Sequence, residues 1–222
     1  MPSCRVITAL SIALLCALLS GCLEGGATPV RQESAEMETV PQTDGVPVMI
    51  DGVFSEGEWD DALLVDASEA VKLYLKQEKG HVFIGVRCIR LTSPIVNLYI
   101  QPTGGEIYKL HTSAQIGEIV LGDSEEEDPP WVWGHSPDWY ANEVRWDQSR
   151  VEQLISEGVP RGEAQARAIF PYDGFEFQIR ASKFESSEWR IRVEVPSAFE
   201  VPFVFPPETE GHSTDGWLIL SL

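Results

Sequence analysis

Two neighbouring runs constrain the fold more than any other feature. Val71-Lys72-Leu73-Tyr74-Leu75-Lys76 alternates apolar and polar residues, with Val71, Leu73 and Leu75 on one face. Val82–Cys88 alternates in the same way and sends Val82, Ile84, Val86 and Cys88 inward. Lys79-Gly80 between them is a hairpin break. A period of two over such lengths suits a half-buried strand and not a helix. Cys88 therefore reads as a small buried hydrophobe rather than a reactive thiol.

The pattern recurs along the chain. Ile95–Ile100 and Glu106–Thr112 form a hairpin across Pro102-Thr103-Gly104-Gly105, and Gly117–Leu121 is a short strand. Ala164–Phe170, Gly174–Ala181, Glu188–Val195 and Trp217–Leu222 also read as strands. In Glu188–Val195 the inward set is Trp189, Ile191, Val193 and Val195. One helix is predicted, capped by Asp147 or Ser149, running through Val151–Ile155 and ending at Gly158. Many short strands between turn signals predict an all-β chain: a single β-sandwich of jelly-roll type with one or two short helices.

Before the strands, Ile50–Ala62 combines three local signals. Asp51-Gly52 is a turn. Ser55 and Glu58 fit a capping box. Trp59, Ala62 and Leu63 follow at helical spacing and predict one or two helical turns pinned by a buried Trp.

The N-terminus carries an address. Arg5 precedes an apolar run, Val6–Leu19, that falls short of the roughly twenty residues needed to span a bilayer. Leu19-Ser20-Gly21-Cys22 resembles the bacterial lipobox. The resemblance implies cleavage of residues 1–21, acylation of Cys22 and stable anchoring through several acyl chains. Leu23 stands where Asp would favour retention elsewhere, so the resemblance implies the outer membrane in a Gram-negative cell. Cys4 and Cys16 would leave with the leader, and Cys88 would remain without a disulfide partner. Residues 22–45 are rich in Gly, Pro, Thr, Glu and Gln and are expected to be a flexible tether, with the folded domain at 46–222.

A formal charge of −19 bounds the partners. It repels phosphate backbones and anionic headgroups, which argues against nucleic acid, and suits neutral or cationic partners or divalent ions. The run Asp123, Glu125, Glu126, Glu127, Asp128 has the oxygen ligands that hard cations prefer, without the spacing or Gly of an EF-hand loop. No nucleophile elbow, metalloprotease helix or phosphate loop is present, and no carboxylate pair stands out, so the chain is not expected to be an enzyme.

Four of the seven Trp residues fall between Asp123 and Trp146: Trp131, Trp133, Trp139 and Trp146, with Tyr140 beside them. Indole faces stack on the C–H faces of sugar rings while nearby polar groups bond the hydroxyls. Trp131, Trp133, Trp139 and Tyr140 are the candidate carbohydrate-binding residues, and packing of these rings into the edge of the sandwich is the alternative.

The opening stretch, through Asp51, Gly52, Glu56, Trp59 and Ala62, resembles the start of family 9 carbohydrate-binding modules and their DOMON-like relatives. His81–Arg87, Asn97–Pro102, Ile107–His111 with Gly117 after it, and Trp189–Pro196 are similar to later strands of that family, in the same order. Gln101 stands where an Asp is usual, and His111-Thr112-Ser113 replaces a segment that usually contains Asn. The resemblance implies a β-sandwich that binds a neutral carbohydrate or glycoside without chemistry, and it brings a structural Ca²⁺ into consideration. The same fold could instead recognise an envelope protein. DOMON-like relatives include haem domains, for which Met49, His81, His111, His135 and His212 would be the axial candidates here.

Overall fold

A computed structural model describes residues 37–88, 95–122, 130–196, 202–207 and 213–222. The chain divides into two units, Met1–Glu33 and Ser34–Leu222, and every described residue lies in the second. Cys22, the leader, the acidic run 123–128 and His212 lie outside the described residues.

The described strands are β1 (Met37–Thr39), β2 (Leu63–Asp66), β3 (Val71–Glu78), β4 (His81–Cys88), β5 (Val96–Pro102), β6 (Ile107–Thr112), β7 (Ile116–Leu121), β8 (Val132–Trp133), β9 (Trp139–Ala141), β10 (Gly174–Arg180), β11 (Glu188–Val195), β12 (Phe203–Phe205) and β13 (Leu218–Ser221). Two helices, α1 (Gln148–Ser156) and α2 (Arg161–Arg167), sit between β9 and β10. The fold is an all-β sandwich with two short helices. The larger sheet has the order β1-β13-β11-β5-β6-β7-β8, with β12 also pairing β11. The smaller has the order β2-β3-β4-β10-β9. All pairs are antiparallel except β1 with β13.

Alternation builds the core as expected. β11 buries Trp189, Ile191, Val193 and Val195, β3 buries Val71, Leu73 and Leu75, and one apolar cluster joins them to Leu98, Ile100, Phe175 and Phe177. The β3–β4 hairpin turns at Lys79 (φ 46°) and Gly80 (φ 78°). Two consecutive positive φ angles match the right-handed twist of the flanking strands and fix the register at Glu78 opposite His81. Cys88 is buried, and burial pushes its thiol up to about 12.

Three expectations are corrected. Ala164–Phe170 is not a strand. Its first part belongs to α2, because Ala164 and Ala168, four apart, share a face that packs on Val151 and Leu154 of α1. Helix α1 is capped by Asp147, whose carboxylate accepts the N–H groups of Ser149 and Arg150. The second correction concerns the capping box. Ser55 N–H donates to Glu58 Oε2 at 3.1 Å, but no helix follows. Gly57 has φ 85°, outside the right-handed helical region, and Leu63 already begins β2. The third is the domain boundary. β1 adds to the larger sheet and Val40 is buried in the core, so the folded chain includes residues 37–45.

The opening stretch forms a third layer outside the smaller sheet. Phe54 and Trp59 stack at 5.4 Å, with Tyr74 tilted against both. They lie on Gly85, where a Cβ would meet Phe54 Cε1 at 2.8 Å and Trp59 Cη2 at 3.1 Å. Two buried charges hold this layer down. The Lys76 ammonium donates to Glu58 O at 2.7 Å, Val46 O at 3.1 Å and Asp61 Oδ1 at 3.1 Å. The Glu176 carboxylate accepts the N–H groups of Gly52 at 2.8 Å and Asp51 at 3.0 Å, and Nε1–H of Trp59 at 3.1 Å.

Candidate functional site

Strand register assembles a polar and aromatic platform on the outward face of the larger sheet. Inward residues of β11, β5 and β6 fill the core, so their alternates share the other face. Glu194, Asn97, His111 and Gly117 pair in one row, and Arg192, Tyr99, Lys109 and Ile119 in the next. Trp133 of β8 pairs Gly117 at the end of the first row.

Gly117 makes the platform flat at that end. A Cβ there would meet Trp133 Cε3 at 2.7 Å and Trp131 Cε3 at 3.2 Å, so both indoles rest on the bare backbone. Trp131 and Trp133 stack at 5.1 Å with an interplanar angle of 21°. His111 stands edge-on to both, at 5.5 and 5.6 Å. Trp133 is 53% exposed, which leaves ring surface for a ligand, and Trp131 is half-buried. On the other side of the rows Trp217 packs edge-on against Tyr99 at 6.0 Å.

The polar row between the aromatics is linked by hydrogen bonds. Asn97 Nδ2 and Tyr99 OH donate to Glu194 Oε2 at 3.1 and 2.8 Å. Asn97 Oδ1 lies 2.8 Å from His111 Nδ1, and Ser113 Oγ lies 3.0 Å from Nε2. Since the Asn97 amide donates to Glu194, its oxygen accepts, which puts the proton on His111 Nδ1. Burial and the adjacent Lys109 charge hold the His111 pKa below its ordinary value. Lys109 Nζ sits 5.2 Å over Tyr99 and 5.5 Å over Trp131. Arg192 lies 5.0 Å over Tyr99.

The four candidate aromatics separate. Trp131 and Trp133 come together on the platform. Trp139 is 2% exposed and belongs to the core: it stacks on Phe177, and its Nε1–H donates to Glu118 Oε2 at 2.6 Å. With its faces covered it has no surface to offer a sugar. Its neighbour Tyr140 points the opposite way, because β9 alternates, and lies on the outside of the smaller sheet. There it lines a cleft of about 240 Å³ with Phe170, Tyr172, Arg145 and Asp51, and stacks on His135. Trp146 packs with the helices.

Sequence reasoning passed over Asn97, Tyr99, Lys109, Arg192, Glu194 and Trp217. For Arg192 and Glu194 the signal was present, as the outward alternates of Glu188–Val195, whose inward residues are those expected. Among the described residues no group of three or more His, Cys, Asp or Glu could hold a metal ion. None of the described helices is long and apolar enough to cross a membrane.

No family model matches the chain, and no curated protein or solved structure matches it.

Proposed function

We propose that this chain is a non-catalytic carbohydrate-binding module, held at the cell envelope by acylation of Cys22, and that the outward face of the larger sheet binds a glycan or glycoside. The observation that carries this reading is the Trp131–Trp133 pair, seated on Gly117 beside a fixed row of hydrogen-bonding side chains. Trp133 offers a hydrophobic surface to the C–H face of a sugar ring. Glu194 and Lys109 are the hydrogen-bonding groups of the adjoining rows, held in place by Asn97 and His111. They orient the ligand without a nucleophile or an acid–base pair being required.

This assignment also accounts for the cost of exposing an indole. A half-exposed Trp gives up burial on the order of 1–2 kcal/mol that a core position would gain, so its place on an ordered platform fits a recognition role. A protein partner is the second reading, favoured by Val132 (72% exposed) next to Trp133 on edge strand β8. Haem ligation draws no support from His111, whose two ring nitrogens both lie within hydrogen-bond distance of partners.

The test is titration of the protein with glycans while Trp fluorescence is followed. Quenching with a blue shift, abolished by Trp133→Ala, is the expected result. A folded protein that responds to no glycan but captures an envelope protein through the same face would replace the first reading with the second.

A further inference from the structure

Among the described residues, the outward positions of β11 and β6 bring Arg190, Arg192 and Lys109 together with Glu194. The protein has 35 acidic and 16 basic residues. Among the five lysines, Lys72, Lys76, Lys79 and Lys183 each have a carboxylate oxygen at 2.6 to 3.4 Å. Lys109 has none among the described residues. Its ammonium rests over the rings of Tyr99 and Trp131 instead. A π face attracts and orders a cation without neutralising it.

Lys109 is not isolated. Arg192 occupies the same cross-strand row, on the other side of Tyr99, and Arg190 is the next outward residue of β11, with Nη1 3.4 Å from Thr214 Oγ1. Glu194 is the carboxylate of the adjoining row, and it already accepts hydrogen bonds from Asn97 and Tyr99. Glu118 of β7 points into the sandwich, where it bonds Trp139 and Lys183.

Building on the carbohydrate-binding reading above, we infer that the ligand is an acidic glycan, bearing a carboxylate or sulfate, and that Lys109 is the residue that selects it. The stacking ring of such a sugar lies on Trp133, and its anionic group reaches the ammonium between Tyr99 and Trp131. The net charge of −19 does not forbid this. Screening confines exposed charges to a range of about 8–10 Å, so a local cation such as Lys109 acts on a ligand in contact with it whatever the sign of the whole chain. A charge-assisted hydrogen bond to an ammonium is stronger than one between neutral groups.

The experiment uses the full chain on an array of matched neutral, carboxylated and sulfated glycans. Calorimetry then compares the best acidic hit with its own uncharged counterpart, the methyl ester or desulfated form. The acid should bind about tenfold tighter or more at low salt. That ratio should fall toward one in Lys109→Gln, persist in Lys109→Arg, and persist in Lys72→Gln, which removes a lysine from the opposite sheet. Trp133→Ala should lose both ligands. Equal affinity for acid and ester, both lost in Trp133→Ala, would overturn the acidic specificity and leave the glycan reading standing. An acid preference untouched by Lys109→Gln would overturn the role of Lys109. Binding to no glycan would overturn both inferences.

Discussion

Trp59 Nε1–H donates to the carboxylate of Glu176, 117 residues further along the chain. Glu176 is fully buried, and that burial raises its pKa from 4.5 to about 7 despite the three N–H groups that favour the anion. The folded protein therefore binds the Glu176 proton more tightly than the unfolded chain does. This contribution to stability is fully present below about pH 4.5 and is lost as pH rises through about 7. Over that window the loss is on the order of 3 kcal/mol. Melting temperature followed from pH 4 to 8 should carry this downward component, and Glu176→Gln should flatten it. A variant whose pH profile runs parallel to that of the parent would show that Glu176 titrates normally.

Trp139 and Trp133 lie six residues apart and should behave oppositely. Trp139→Ala empties a core position against Phe177 and strips Glu118 of a donor, so it should destabilise by about 3–5 kcal/mol in a denaturant titration. Trp133→Ala removes a half-exposed ring and should change stability by about 1 kcal/mol or less while abolishing glycan binding. If Trp133→Ala proves the more destabilising of the two, the platform is a structural element.

Gly117 is the position where a single methyl group should separate binding from folding. In Gly117→Ala the new Cβ would sit 2.7 Å from Trp133 Cε3, and the indole has to lift. Because Trp133 is on an edge strand and half exposed, it can do so at a cost of about 1 kcal/mol. Ligand affinity should fall at least tenfold with the melting temperature nearly kept. Gly85→Ala makes the same intrusion into Phe54 and Trp59, where Trp59 is buried, and should lower stability by about 1–3 kcal/mol instead.

Lys76 is a buried cation with three oxygen partners, two of them backbone carbonyls. Lys76→Met keeps the length of the stem and removes the ammonium, leaving Glu58 O and Val46 O without this donor. Chemical denaturation should show a loss of roughly 3 kcal/mol. Hydrogen exchange should show opening of residues 46–62 first, since the ammonium pins that layer to the small sheet. Uniform loss of protection across both sheets would mean that the layer does not open independently.

The sandwich was readable wherever one strand carried a full alternating set. β3, β4 and β11 run for eight residues each, and the inward residues expected of them are buried. β1, β2, β8, β9 and β12 have two to four residues each, too few for a period to declare itself. α2 was misread because its apolar residues are alanines, which carry little hydrophobic contrast, so the Ile169-Phe170 pair beyond the helix dominated the pattern. The site was half legible for a different reason. A concentration of Trp residues is visible in the sequence, but the face on which each ring lies is not.

What the sequence determined by itself is local physics: which segments alternate, that a helix begins at a cap near Asp147 and Ser149, where Lys79-Gly80 turns a hairpin. These follow from interactions within a few residues, or from the burial of one strand face, and need no knowledge of partners. The tertiary structure alone decided that Trp133 lies open on Gly117 while Trp139 is buried against Phe177, and that Lys109 rests over the rings of Tyr99 and Trp131. Those outcomes depend on cross-strand register and on which sheet each strand joins. Both are set by the packing of the whole core, so residues far apart in the chain fix the fate of a single ring.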